Sequence, residues 1–324
     1  MPLTFDLPLA ELQTYSGRNP RPADFDSFWE TGLAEMRALD AQVELVPAEF
    51  QAPQVECFHL FFTGTGGARL HAKLLRPTQA PAPHPAVVMF HGYTGDSGDW
   101  YNKLGYVAAG FTVAALDCRG QAGLSQDGGG VSGNTLYGHI IRGLADALNG
   151  APEKLLFRNI FLDTAQLAGI VMGMPDVDPG RVGAAGGSQG GALTIACAAL
   201  EPRIRRAAPR FPFLSDYLRV WEMDQAKDAY RELQEFFRSA DPTHRLEGEV
   251  FEKLGYIDIQ FLAPRIRAEV LWATGLMDTV CPPSTQFAVY NKINAPKQMV
   301  IYPDFGHEDL PAFDDRAFQF LMGL

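Results

Sequence analysis

A serine flanked by glycines two residues to either side, in Gly186-Gly187-Ser188-Gln189-Gly190-Gly191, has the G-x-S-x-G spacing of a nucleophile elbow. The spacing has a steric reason: a serine lifted above a sheet edge occupies a sharp, strained turn, where flanking side chains would collide. The apolar run 181–186 before it reads as a buried strand, and residues 189–200 after it read as a helix. A lone match also arises in tight connections and phosphate cradles, so the assignment rests on its partners.

A serine hydroxyl attacks only when a base takes its proton. Of the seven histidines, His307, in Tyr302-Pro303-Asp304-Phe305-Gly306-His307-Glu308, is the one that follows the last expected strand, where a sheet of this kind presents its base. His59 and His71 fall in early strands, His84 in a proline loop and His91 in a separate motif, while His139 and His244 precede the expected acid. That acid is Asp278, in Gly275-Leu276-Met277-Asp278, past one strand and ahead of a helix begun by Pro282-Pro283; it orients the imidazole. Asp304 and Glu308 share the histidine's own loop and read as a turn residue and a helix cap. The chain order Ser, Asp, His is that of α/β-hydrolases, not of chymotrypsin-like or subtilisin-like enzymes.

Acyl transfer also needs donors aimed at the developing oxyanion. The backbone N–H of Gln189, next after the serine, is one. The second is expected from His91-Gly92-Tyr93-Thr94-Gly95, after the strand at 86–90, and is assigned to the N–H of Tyr93. His91 itself reads as a hydrogen-bonding group that shapes this loop. Arg119 and Gln121, in Asp117-Cys118-Arg119-Gly120-Gln121, read as braces, since a guanidinium is a rigid multidentate donor. No His, Cys or acidic pair has convincing metal-ligand spacing, and neither a dinucleotide nor a P-loop fingerprint occurs, so the expected chemistry uses no cofactor and no metal.

Residues 188, 278 and 307 are far apart in sequence and need a scaffold that brings them together. Short apolar runs at 86–90, 111–116, 182–185, 269–274 and 298–302 read as central parallel strands covered on both faces. Helical patterns at 103–109, 155–172, 192–199, 285–292 and 312–321 fall between most of them, giving a doubly wound, mostly parallel α/β sheet of the α/β-hydrolase kind. One domain, 1–324, is expected, with two embellishments. An N-terminal extension, 1–54, reads as helical on the spacing of Phe25, Phe28, Trp29, Leu33 and Met36. A helical insertion, 211–266, rich in charge and aromatics, follows a short run at 204–209 and reads as lying over the carboxyl edge of the sheet, where α/β proteins bind ligands. Runs at 55–62 and 70–75, separated by Gly64-Thr65-Gly66-Gly67, read as a hairpin.

Composition excludes some partners. The 324 residues are 47% hydrophobic, enough for a large core, and 38 acids against 27 bases give a net charge of -11 with no long basic run. Nucleic acid and anionic membranes are therefore not expected partners. No apolar run is long enough to span a bilayer, and residues 1–10 do not read as a secretory signal. The four cysteines, Cys57, Cys118, Cys197 and Cys281, lack C-x-x-C spacing and read as buried free thiols, in keeping with a cytoplasmic location.

Taken together, His91-Gly92-Tyr93, Arg119-Gly120-Gln121, the elbow, Gly275-Leu276-Met277-Asp278 and His307-Glu308 resemble the acetyl xylan esterase and cephalosporin C deacetylase family of carbohydrate esterases. Phe211-Pro212-Phe213-Leu214-Ser215-Asp216, Lys253-Leu254-Gly255-Tyr256 and Cys281-Pro282-Pro283-Ser284-Thr285 extend the resemblance over nearly the whole chain. The resemblance implies hydrolysis of small acetyl esters on xylo-oligosaccharides and cephalosporin-type antibiotics, in the cytoplasm, by a doughnut-shaped hexamer. On the residues alone, a general carboxylesterase, thioesterase or peptidase on the same scaffold, or a non-catalytic binding protein, are the alternatives.

Overall fold

In each β-strand successive side chains point to opposite faces, so a sheet buried on both sides must feed two cores. The computed structural model, which describes residues 5–126 and 139–324, shows this division. Ala86, Val88 and Phe90 join one core while Val87 joins the other; Val270 and Trp272 are likewise separated from Leu271 and Ala273. The first core takes helices Phe25–Ala38, Leu156–Met172 and Gln189–Leu200, and the second takes Leu104–Ala108 and Phe313–Leu321.

Among the described residues the sheet has nine strands: β1 (Glu44–Pro47), β2 (Val55–Thr63), β3 (Arg69–Pro77), β4 (His84–Phe90), β5 (Thr112–Leu116), β6 (Val177–Gly187), β7 (Arg206–Arg210), β8 (Glu269–Gly275) and β9 (Lys297–Tyr302). Their spatial order is β1-β2-β3-β5-β4-β6-β7-β8-β9. From β5 to β9 neighbours run parallel, and β1, β2 and β3 continue antiparallel at one edge. The hairpin expected from Gly64-Thr65-Gly66-Gly67 is β2–β3, with Thr63 opposite Arg69. The chain turns back in the sheet at β4, whose neighbours β5 and β6 follow it in sequence, so the carboxyl ends of β4 and β6 open a crevice at a topological switch point.

Three boundaries differ from expectation. The N-terminal extension is not wholly helical: Leu9–Leu12 and Phe25–Ala38 are helices, but Glu44–Pro47 pairs with β2 as an edge strand. All four of its residues are exposed, so no alternation of burial marked it. The run at 204–209 is a full strand, β7, inserted between β6 and β8. β6 begins at Val177, earlier than its apolar stretch: Val177 pairs with His84 at the start of β4, and after a shift of register the pairing resumes at Val182 and Ala86.

Residues 211–266 fold as helices Tyr217–Glu222, Arg231–Ala240, Glu247–Leu254 and Ile259–Leu262. In the second of these, Leu233, Phe236 and Phe237 are buried at i, i+3 and i+4, one apolar stripe on an otherwise charged helix. The N-terminal extension straps the insertion in place. The Tyr15 hydroxyl donates to Asp216 at 2.8 Å, the Arg18 and Asn19 backbone N–H groups donate to the same carboxylate, and Trp29 Nε1 donates to the Tyr256 carbonyl at 3.1 Å. The function of this extension in the fold is thus to fix what lies over the sheet's carboxyl edge.

Candidate active site

Ser188 sits where β6 ends and helix Gln189–Leu200 begins, with φ 58° and ψ -120°. Side chains rarely adopt that backbone, and it persists only where neighbours over-determine it. Here the Ser188 N–H donates to the Arg210 carbonyl at 3.0 Å, and the Ser188 carbonyl accepts from Phe213 N–H at 3.1 Å. A Cβ at Gly186 would stand 2.5 Å from the Gly190 carbonyl oxygen, and one at Gly190 would stand 2.1 Å from that of Phe90. Both glycines are therefore demanded by close backbone approach, which is the steric reason behind the sequence motif.

The structure brings the three distant residues together. His307 Nε2 lies 3.0 Å from Ser188 Oγ, and His307 Nδ1 lies 2.9 Å from Asp278 Oδ2. Asp278 is fully buried, and its other oxygen, Oδ1, accepts the N–H groups of Val280 at 2.9 Å and Cys281 at 2.8 Å. With Oδ1 occupied by donors, Oδ2 is left as acceptor for Nδ1–H, and Nε2 is then the lone pair facing the serine. Phe211 packs its ring 4.5 Å from the imidazole. Asp304 is exposed, and Glu308 accepts the Gly306 N–H at 3.1 Å rather than capping the last helix, which starts at Phe313.

Beside Ser188 opens a cleft of about 650 Å³, lined by Tyr93, Asp228, Glu232, Val280 and His307 among others. Phe211 and Phe213 stand behind the lining: Phe211 backs His307, and Phe213 backs Tyr93 at 5.2 Å. Asp278, Cys281 and His307 also converge within metal-ligand reach. Burial raises the Cys281 thiol well above its ordinary pKa, and Asp278 and His307 turn their facing atoms to each other, so the set fits a proton-handling dyad beside a neutral thiol.

The chain matches the acetyl xylan esterase family over residues 1–324. The chain belongs to the acetyl xylan esterase family. It is thus an ester-cleaving enzyme of the α/β-hydrolase fold. It superposes on acetyl xylan esterase 1 from Thermoanaerobacterium sp. JW/SL YS485 with a TM-score of 0.96 and 57% identity, covering 98% of this chain and 99% of that one. The acetyl xylan esterase from Paenibacillus sp. R4 follows with a TM-score of 0.90 and 34% identity, over 98% and 99%. Acetyl esterase Axe7A of Xylanibacter ruminicola is 26% identical over 288 residues, 87% of this chain; the chain spans 62% of that relative's length.

Around the centre of this esterase the remaining sequence-identified residues act as braces. His91 Nε2 accepts the Cys118 N–H at 2.9 Å, so Nδ1 carries the proton and donates to the Gly92 carbonyl at 2.7 Å; burial lowers its pKa and favours that neutral form. The Gln121 and Gln189 side-chain amides pair reciprocally, at 2.6 and 3.0 Å, which ties the loop after β5 to the residue after the serine. Arg119 forks onto Asp163 through Nε at 2.7 Å and a terminal nitrogen at 2.6 Å, with both side chains at most 2% exposed, and also donates to the Thr65 carbonyl. Arg119→Met strips a buried carboxylate of this counter-ion and is expected to cost about 3–5 kcal/mol of stability. Urea unfolding of the two proteins checks it; a loss below about 1 kcal/mol would show that the pair is not a brace.

Two features escaped the sequence. Glu232 bonds the Tyr93 hydroxyl, and nothing in a charged amphipathic helix marks one glutamate among several for that contact. Asp117, His71 and His59 form a second acid–imidazole array, with contacts of 2.6 and 2.8 Å, at the β2–β3 edge. No serine or cysteine among the described residues hydrogen-bonds its imidazoles through a side chain, so it lacks a nucleophile.

Proposed function

We propose that this esterase removes acetyl groups from acetylated xylo-oligosaccharides through a covalent acyl-enzyme on Ser188. His307 accepts the serine proton as Oγ attacks the acetyl carbonyl, Asp278 holds the imidazole and its positive charge, and the backbone N–H groups of Tyr93 and Gln189 receive the oxyanion. The alcohol leaves with the proton from His307. Water deprotonated by His307 then releases acetate by the same steps reversed. One observation carries the reading: the unbroken run from Ser188 Oγ through His307 to Asp278, at 3.0 and 2.9 Å, at the mouth of an open cleft. Gln189 heads a helix, where first-turn N–H groups have no intrahelical acceptor and favour negative charge.

Substrate breadth follows from the two sides of the cleft. Tyr93, backed by Phe213 and tied to Glu232, limits one wall, whereas Asp228 and Arg231, which also line the cleft, are exposed. An acyl pocket filled to about one methyl group rejects longer chains, since forced extra methylenes cost roughly 1–3 kcal/mol. Butyryl and longer esters are therefore expected to be poor substrates, while different alcohols, including the cephalosporin type, are accepted. Specificity constants for acetyl, propionyl, butyryl and octanoyl esters of one alcohol, then for acetylated xylo-oligosaccharides against cephalosporin C, test this. A preference for octanoyl sinks the deacetylase reading in favour of a general carboxylesterase.

The family resemblance supports a hexamer, and light scattering of the purified protein decides it. Four buried, unpaired cysteines support a cytoplasmic location. Among the described residues no helix is long and apolar enough to cross a membrane.

A further inference from the structure

Tyr93 carries one of the two proposed oxyanion donors on the loop after β4. The Gly92 carbonyl, just before it, accepts from His91 Nδ1 at 2.7 Å and from the Gly95 N–H at 3.1 Å, and Thr94, just after it, has φ 60°. The side chain ties Tyr93 to the insertion as well. The Tyr93 hydroxyl donates to Glu232 Oε1, accepts the His139 N–H at 3.3 Å, and its ring packs on Phe213. Glu232 Oε2 in turn accepts the Ile140 N–H at 2.7 Å. One carboxylate, in the first turn of helix Arg231–Ala240, thus joins the loop after β4, the backbone at 139–140 and the insertion. Burial raises the pKa of Glu232, against the pull of the Tyr93 hydroxyl and the backbone donors; a carboxylate placed there is expensive to desolvate, and its hydrogen bonds offset that cost.

We infer that Glu232 is a positioning residue for ester hydrolysis: by holding the Tyr93 hydroxyl it aims the Tyr93 backbone N–H at the oxyanion, and it makes that aim depend on the seating of the inserted helix. The inference rests on the proposed roles of Ser188 and Tyr93. Catalytic donors act through geometry, and a misplacement of about 1 Å costs about a hundredfold in rate.

The test compares Tyr93→Phe, Glu232→Gln and the double variant with the wild type, using 4-nitrophenyl acetate for kcat and KM and phenylboronic acid as a tetrahedral adduct former. Tyr93→Phe keeps the ring and removes only the hydroxyl. In Glu232→Gln the amide nitrogen either leaves the Ile140 N–H without its acceptor or forces the Tyr93 hydroxyl to turn from donor to acceptor, away from the geometry that the carboxylate imposes. The expected result is a kcat lowered about tenfold to a hundredfold in each single variant, with KM within about twofold, boronate affinity weakened in parallel, and the double variant no slower than the slower single one. Losses that multiply in the double variant, a change confined to KM, unchanged boronate affinity, or kcat within about twofold of wild type overturns the inference. Circular dichroism establishes that each variant is folded, and Tyr93→Phe decides alone if Glu232→Gln does not fold. Ser188→Ala, run beside them, separates the two levels: if it stays active, the underlying reading fails, whereas an inactive Ser188→Ala with unaffected Tyr93→Phe and Glu232→Gln removes only the role of Glu232.

Discussion

Ser188→Ala is expected to lower turnover by about a thousandfold to a millionfold while the protein stays folded, the range that loss of a nucleophile produces in another serine hydrolase. The separation of activity from stability follows from how the residue is held. Its strained backbone is fixed through main-chain bonds to Arg210 and Phe213, which alanine keeps. Its hydroxyl meets His307, which does not depend on that contact for its place, since Asp278 and the Phe211 ring also hold it. Residual activity would come from the oxyanion donors acting on attack by water. The measurement is kcat on 4-nitrophenyl acetate with thermal melting alongside, and labelling by a fluorophosphonate read by mass spectrometry. A variant that keeps a tenth of wild-type turnover, or a wild type whose label lies on another residue, removes Ser188 as the nucleophile. A wild type that takes no label at all would revive the non-catalytic alternative.

Asp278→Asn is expected to cost about ten-thousandfold in turnover, the size of the same substitution in another Ser-His-Asp enzyme, and the surroundings of the carboxylate say why. Oδ1 faces two backbone donors, the N–H groups of Val280 and Cys281. In the asparagine the carbonyl oxygen must take that position, because an amide nitrogen there would set N–H against N–H. The amide NH₂ then points at His307 Nδ1 and stabilises the tautomer in which Nδ1 accepts and Nε2 carries the proton. That imidazole cannot take a proton from Ser188. Asp304→Asn, on the exposed loop, is expected to change kcat by less than about threefold. Stopped-flow and steady-state kinetics on both variants check the contrast, and a reversal of the two effects would place the orienting acid on the histidine's own loop.

Much of the centre was legible because its residues are constrained by local sterics. Gly186 and Gly190 are required by contacts of 2.5 and 2.1 Å to backbone carbonyls, and a requirement that strict leaves a pattern any reader of the chain meets. Asp278 and His307 stand in loops directly after β8 and β9, and a parallel sheet presents all such loops at one edge, so strand order alone predicts that they meet. The buried strands announced themselves by continuous apolar runs. β1 did not, since its four exposed residues follow no pattern and pair only because β2 offers a free edge.

The sequence by itself determined the proposed nucleophile, base and acid, and the parallel sheet beneath them, because short-range backbone geometry and the period of burial dictate those. Tertiary structure alone decided which carboxylate oxygen faces His307, which aromatic rings line the cleft and which stand behind it, and that Glu232 of the inserted helix grasps Tyr93. These depend on directions and distances between separate segments, 29 residues apart for Asp278 and His307 and 139 for Tyr93 and Glu232. No propensity or periodicity encodes such a contact; it exists only once the insertion has been strapped over the carboxyl edge of the sheet and the side chains have found their donors there.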